Sequence, residues 1–345
     1  MRKLLLTSTA FILSACTGVS DLPQMDKAAA EREAQTQRVM AINGQLEQEA
    51  RVNRIYWRIA RANAELCGAK VTSRTGLNVI QISTVKVDFR EGWQTAVPMG
   101  DGVTLTDAIE GSPAWKAGLK RGDIVRRVNE NSISADGDGL KTLIRTIRTA
   151  APHDVVVRRG EETVNVRLNA DTLCDYPITV KQGDPVNAFA DGKGITVTSG
   201  LLRFAQSDDE IALVLGHEMA HNTVGHIDSM MGNRLAGALA GAIITAVTGI
   251  DVVTPSANAM QLAFSQEFEQ EADYVGVYHA ARAGYDVSDA ANLWRRMAVN
   301  APGAINLQGS MTHPSTATRF IAIEQAAAEI KVKMIRGEKL TPNRK

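Results

Sequence analysis

The chain has 345 residues, of which 44% are hydrophobic, and its 38 basic residues are balanced by 38 acidic ones. This length and hydrophobic content are sufficient for two folded domains with ordinary cores. The balanced charge, without a basic patch or a basic run interleaved with aromatic residues, excludes a nucleic-acid-binding protein and a nucleic-acid partner.

The N-terminus is typical of a bacterial export signal. Basic residues at positions 2 and 3 precede an apolar run, residues 4–13, that is too short to span a bilayer. The run ends in Leu13-Ser14-Ala15-Cys16, which resembles the lipobox of bacterial lipoproteins. The resemblance implies that residues 1–15 are a signal peptide and that Cys16 carries the lipid.

An ordinary signal peptide beside an accidental cysteine is the alternative to lipidation of Cys16. Thr17 follows the cysteine, in place of the Asp that would resemble an inner-membrane retention signal. We therefore expect a lipid-anchored protein of the cell envelope, on the periplasmic face and at the outer membrane rather than the inner one.

Residues 16–74 are predicted to be a tether followed by one or two helices. Apolar residues between positions 39 and 66 keep a spacing of three or four, and Asn43-Gly44 is the expected break.

Cys67 and Cys174 remain when Cys16 is set aside. Two cysteines in an oxidising compartment form a natural disulfide pair, and two free buried thiols are the alternative.

Residues 75–171 are predicted to be a small β-rich domain, because short β-forming runs alternate there with turn residues. The runs lie near 79–82, 103–105, 124–128, 155–157 and 164–168. Within them, residues 111–125 read GSPAWKAGLKRGDIV, which closely resembles the PDZ domains of bacterial envelope proteases.

This resemblance implies a peptide ligand that adds as a strand beside a helix predicted over residues 140–148. The usual carboxylate-binding loop is not recognisable in residues 97–105, so a role in packing within the molecule is the alternative.

The motif that indicates a catalytic metal site is HExxH, at His217, Glu218 and His221. Residues four apart share one face of a helix, so the two histidines can bind one Zn²⁺ while Glu218 takes a proton from water at the metal. Ser207 and Glu210 fit a capping box at the start of this helix.

Two neighbouring segments are predicted to line the site. Residues 195–198 alternate as a strand, and we expect this strand to be an edge that pairs with an extended substrate. Residues 235–250 carry no charge but are short for a membrane span, so a buried helix or a lid is expected, with a membrane contact as the alternative.

Catalytic zinc takes three protein ligands, and three alternating glutamates, at 267, 269 and 271, offer the third. Residues 175–325 resemble the metallopeptidase family of the CAAX prenyl endopeptidase, the HtpX-like and the Oma-type proteases. The likeness rests on Asn187-Ala188-Phe189, the strand, HExxH, an ExxxD segment and a later His-Pro.

This resemblance assigns Glu269 as the third ligand, with Asp273 hydrogen-bonded to a zinc histidine. Glu271 is the fallback ligand, although it and Glu267 are expected to be solvated.

The resemblance gives His313 a catalytic role, either in stabilising the oxyanion or as a fourth ligand that plugs the zinc; a histidine at a helix start without metal contact is the alternative. The other histidines are set aside. His226 is placed on the opposite side of the same helix from His217, His279 on the surface and His153 in a turn.

The sequence thus predicts an α+β protein in which a PDZ domain precedes a mainly helical gluzincin-type metallopeptidase domain at 172–335, with a tail at 336–345. The implied function is that of an endopeptidase with one Zn²⁺ per chain and Glu218 as the base. Unfolded or misassembled envelope proteins are the expected substrates. A PDZ-bearing chaperone with a plugged zinc site and a purely structural zinc site are the alternatives.

Overall fold

The computed structural model describes residues 25–343, except 136, 150, 249–251, 253–264 and 301–316. The expected signal peptide and Cys16 lie outside the described residues. The predicted α+β class is confirmed, because a β-rich unit precedes a mainly helical one.

In chain order the elements are α1 (Lys27–Ala62), β1 (Val71–Arg74), β2 (Leu77–Gln81), α2 (Val87–Ala96), β3 (Val103–Ala108), α3 (Pro113–Lys116), β4 (Ile124–Val128), β5 (Asn131–Ser132), α4 (Gly139–Ile147), β6 (His153–Arg159), β7 (Glu162–Leu168), β8 (Asp171–Cys174), β9 (Ile178–Lys181), β10 (Ala188–Ala190), β11 (Ile195–Thr198), α5 (Ser199–Phe204), α6 (Asp208–Val224), α7 (His226–Thr248), α8 (Ser265–Arg282), α9 (Ala290–Asn300) and α10 (Ala317–Ile335).

Helix α1 is continuous over 36 residues, so the predicted break at Asn43-Gly44 is wrong. A glycine inside a helix costs only about 1 kcal/mol relative to alanine. Here Ile42 and Leu46, on either side of Gly44, both pack against Val97, and this burial outweighs the cost. The C-terminal half of α1 packs in the core of the helical unit, where Tyr56 and Trp57 are buried.

The β-rich unit is a six-stranded antiparallel sheet in the order β2-β3-β4-β6-β7, with β5 paired to β4. Each of the five predicted β-forming runs overlaps one of its strands, and α4 overlaps the helix predicted over residues 140–148. His153, expected in a turn, instead begins β6 and is fully buried, with its Nδ1 3.3 Å from the Asn129 side chain.

The chain enters and leaves the β-rich unit at one place. There β1 pairs antiparallel with β8, with Val71 opposite Cys174. Cys67 and Cys174 form a disulfide beside this ribbon, with their Cα atoms 5.6 Å apart and a separation of 107 in sequence. Closing a loop of that length stabilises the fold by about 4–5 kcal/mol in the chain-entropy model.

A small sheet of three strands, in the order β10-β11-β9, leads into the helices of the second unit. Strand β11 is antiparallel to β10 and parallel to β9. The prediction that β11 is an edge strand is therefore wrong, since its hydrogen-bonding groups are used on both sides. Strands β10 and β9 are the two edges, and β10 packs against α6.

Helix α6 begins and ends as its sequence dictates. The Ser207 hydroxyl accepts from the Glu210 N–H at 3.2 Å, and the Glu210 carboxylate accepts from the Gln206 N–H at 2.7 Å. The helix ends at Gly225, whose φ of 83° suits a residue without a Cβ.

Helix α7 contains residues 235–248 of the uncharged segment. Leu235, Leu239 and Ile243 are each more than half exposed, so the buried helix, one of the two expected arrangements, is wrong, while the lid stays a prediction. Among the helices of the described residues, none has the length and apolar character needed to cross a membrane.

The two helices that carry the predicted ligands, α6 and α8, cross at a pair of glycines. A Cβ built on Gly276 would lie 2.7 Å from the backbone N and Cα of His217, and one on Gly216 would lie 2.5 Å from the Gly276 carbonyl oxygen. Neither position has room for a larger residue, because the atoms in the way are backbone.

We expect Gly276→Ala to lower the free energy of unfolding by about 1–3 kcal/mol, since overpacking of the crossing outweighs the better helix propensity of alanine. Gly44→Ala is the matched control: its Cβ would meet nothing within 4 Å, so stability should be unchanged or slightly increased. Thermal and urea unfolding measure both. A Gly276→Ala protein as stable as the wild type would contradict the tight crossing.

Candidate metal centre

His217 and His221 face each other one turn apart on α6. Their Nε2 atoms are 3.1 Å apart, and both rings are almost fully buried. The helix around them is buried from Ile211 to Asn222, so neither ring stands on a mobile surface element.

Glu269 on α8 completes the group. Its Oε2 is 3.5 Å from His217 Nε2, and its Oε1 is 3.3 Å from His221 Nε2. Within the described part of the chain, these three residues form the group that could hold a metal ion. Ligand atoms about 2.1 Å from a tetrahedral zinc ion lie about 3.4 Å apart, so the spacing and the donor set both fit Zn²⁺.

The other two glutamates do not reach this point. Glu267 is exposed, as expected. Glu271, the fallback ligand, has a half-exposed side chain that contacts His226 rather than the two HExxH histidines.

The second nitrogen of His217 is held by a buried ion pair. Its Nδ1 lies 3.0 Å from Oδ1 of Asp273, the residue predicted to support a zinc histidine. Arg319 on α10 donates to both oxygens of Asp273, at 2.7 and 2.8 Å, and its Nη1 is 3.0 Å from Oε2 of Glu269. One buried guanidinium thus contacts both carboxylates.

Sequence reasoning missed Arg319. It lies six positions after His313, inside the His-Pro segment that carried the family resemblance, but no role was predicted for it. Arginine is the cation best suited to bidentate pairing with a buried carboxylate. Its presence in a segment expected near Glu269 and Asp273 was the signal that could have indicated the role of Arg319.

The other nitrogen of His221 faces His226, which corrects the prediction that His226 points away. The prediction assumed one continuous helix, on which His217 and His226 would lie on opposite sides. Instead, Gly225 ends α6 in a left-handed conformation, and the turn places the His226 ring beside that of His221. His226 Nδ1 is 3.1 Å from His221 Nδ1, and its Nε2 is 3.1 Å from Oε2 of Glu271.

The remaining predicted residues are placed as follows. Glu218 is buried on α6 next to His217. His279, expected on the surface, is fully buried at the helix crossing, with Nδ1 3.1 Å from the Gly216 carbonyl oxygen. His313 lies outside the described residues, so its role stays a prediction.

The electrostatics of the group favour a cation. Burial opposes a charge on His217, but the hydrogen bonds and charges of Asp273 and Glu269 outweigh it and raise the pKa of His217 to about 10. Burial raises the pKa of Asp273, yet Arg319 and His217 lower it further, and the net shift is downward. Burial lowers the pKa of His221. Zinc would have to displace the His217 proton, so zinc binding should weaken as pH falls.

Comparison with known proteins agrees with this geometry. Residues 155–327, which include all the groups above, match the model of peptidase family M48, and residues 104–159 match the model of the PDZ domain. The resemblances to a zinc metallopeptidase family and to PDZ domains are thereby confirmed.

Three relatives are similar over part of the chain. The mitochondrial metalloendopeptidase OMA1 of Saccharomyces cerevisiae is 30% identical over 142 residues, covering 39% of this chain and 41% of the relative. OMA1 of Arabidopsis thaliana is 36% identical over 143 residues, covering 41% and 29%. The beta-barrel assembly-enhancing protease of Yersinia pestis is 28% identical over 212 residues, covering 54% and 43%. The chain thus spans less than half the length of each of these relatives.

We expect Arg319→Gln to lower the free energy of unfolding by about 3–5 kcal/mol in the presence of a chelator, because two buried carboxylates lose the guanidinium that contacts both of them. Saturating zinc should restore part of this loss by binding one of those carboxylates. Arg295→Gln is the control: Arg295 pairs with Glu324 at the surface at 2.6 Å, and its loss should cost below about 1 kcal/mol. Equal losses in the two variants, measured by urea unfolding, would contradict this account of Arg319.

Proposed function

The chain belongs to peptidase family M48, and from the convergence of His217, His221 and Glu269 on one point we propose that it is a zinc-dependent endopeptidase of the cell envelope. That convergence carries the proposal. Two neutral imidazoles and one carboxylate are the ligand set of catalytic zinc in many peptidases, and three protein ligands leave a position for water.

When bound, zinc lowers the pKa of water toward about 7 and polarises the carbonyl of the scissile peptide. The residues of the chain would transfer the proton and hold the ligands in position. Glu218 would take the proton from the attacking water and deliver it to the leaving amine. Asp273 would hold the His217 ring through Nδ1, and Arg319 would hold Asp273 and Glu269 in place.

An extended backbone is the substrate that the surroundings suit. Strand β10 is an edge of its sheet and packs against α6, the helix that carries HExxH. An unfolded segment can pair with such an edge along its length, whereas most of the backbone of a folded protein is already hydrogen-bonded. We therefore propose unfolded or misassembled envelope proteins as substrates.

The relatives and the N-terminus support the place of action. Bacterial relatives are named for enhancing beta-barrel assembly, and we propose on this likeness that the chain acts in the cell envelope. The lipobox-like sequence at Cys16 would tether the enzyme to the outer membrane on its periplasmic face.

Strand β2 at the edge of the larger sheet would receive the peptide ligand of the PDZ domain.

We expect Glu218→Gln to lower the rate of cleavage of an unfolded protein such as reduced casein by about 10²–10⁴-fold, since the proton acceptor is lost. Zinc content should remain one ion per chain, because Glu218 is not a ligand. Cleavage is followed by gel electrophoresis and zinc by atomic absorption on the same samples.

Glu267→Gln, which changes an exposed glutamate on α8 away from the ligands, should cleave at the wild-type rate. Cleavage by Glu218→Gln at that rate, or loss of its zinc, would contradict the assigned role. If neither wild type nor variant cleaves while both hold one zinc, the chaperone alternative with a plugged site gains support.

A further inference from the structure

His226 and Glu271 extend the metal-binding group from the Nδ1 side of His221, the side of that ring opposite the other two ligands. His221, His226 and Glu271 form a linear series of contacts, with 3.1 Å between the two Nδ1 atoms and 3.1 Å between His226 Nε2 and Glu271 Oε2. Both rings are buried, and Glu271 closes the series near the surface.

The chemistry of the facing atoms determines the direction of these hydrogen bonds. His221 presents Nε2 to His217 and Glu269, so metal binding there uses that lone pair and leaves the ring proton on Nδ1. Two facing Nδ1 atoms form a hydrogen bond only when one donates and the other accepts. His226 must then accept on Nδ1, carry its proton on Nε2 and donate to the Glu271 carboxylate, which accepts.

The position of the His226 ring is fixed from several directions. Gly225, with φ of 83°, turns the chain so that His226 is the first residue of α7. Phe268 of α8 stacks on the ring at 4.7 Å between centroids and 17° between planes. Glu271 is two positions from Glu269, so α8 supplies both a ligand and the end of this series.

We propose that His226, held by Glu271, is a positioning residue that fixes His221 in the tautomer and orientation that bind the metal. This inference rests on the proposed zinc function. Asp273 with Arg319 serves His217 in the same way, so each ligand histidine has its own partner. Outer partners of this kind contribute about 10–100-fold to metal affinity.

The test is the zinc affinity of the folded protein, measured by competition with a chromophoric chelator. His226→Phe keeps an aromatic ring against Phe268 but offers no acceptor, and should weaken zinc binding by about 10–100-fold. His226→Asn places an amide oxygen where Nδ1 stood and should recover most of that affinity. Glu271→Ala, at the half-exposed end, should weaken zinc binding by about tenfold, the lower end of the range for such partners.

The melting temperature of the chelator-treated protein separates positioning from packing. A packing role predicts that His226→Phe and His226→Asn lower this temperature without changing zinc affinity, and that result would overturn the inference. Equal zinc affinity in the wild type and in Glu271→Ala would show that Glu271 does not help to position His226, and this result can be obtained even if His226→Phe does not fold. A wild-type chain that binds no zinc would instead remove the proposed function itself.

Discussion

The metal-binding group depends on the close approach of two helix backbones at Gly216 and Gly276. Because no side chain separates α6 from α8 there, Glu269 on α8 comes within 3.5 Å of both histidines on α6. Glu269 and Asp273 lie one turn apart on α8, so a single helix supplies both a ligand and the partner of His217. A wider crossing would move both carboxylates away together, and the site would lose its third ligand and its orientation at once.

Charge is the second constraint on the site. Glu269 and Asp273 are almost fully buried, and buried carboxylates are tolerated only with cationic partners or good hydrogen bonds. Arg319 supplies one positive charge for the two of them. Burial opposes a charge on His217, but the remaining negative charge raises its pKa, and the same charge would favour a divalent cation at that point. The network that orients the ligands is therefore also the source of attraction for the metal.

The parts that could be predicted from the sequence are those with a local signal. HExxH spacing, the cap at Ser207 and the alternating runs of the β-rich unit each depend on neighbouring residues, and the family resemblance pointed to Glu269 and Asp273. His226 was misplaced although Gly225, a common helix-ending residue, stood beside it. The burial of His279, the contacts of Arg319 and the central position of β11 arise from elements far apart in sequence, so no local periodicity could show them.

X-ray absorption at the zinc edge, on the purified chain and on Glu269→Gln, would identify the ligands of the metal. We expect one zinc per chain, with two imidazole nitrogens and a carboxylate oxygen at about 2.0–2.2 Å. In Glu269→Gln the carboxylate contribution should disappear and zinc should bind more weakly. A sulfur ligand, an unchanged spectrum in the variant, or a wild-type chain that binds no zinc would contradict the assignment of His217, His221 and Glu269.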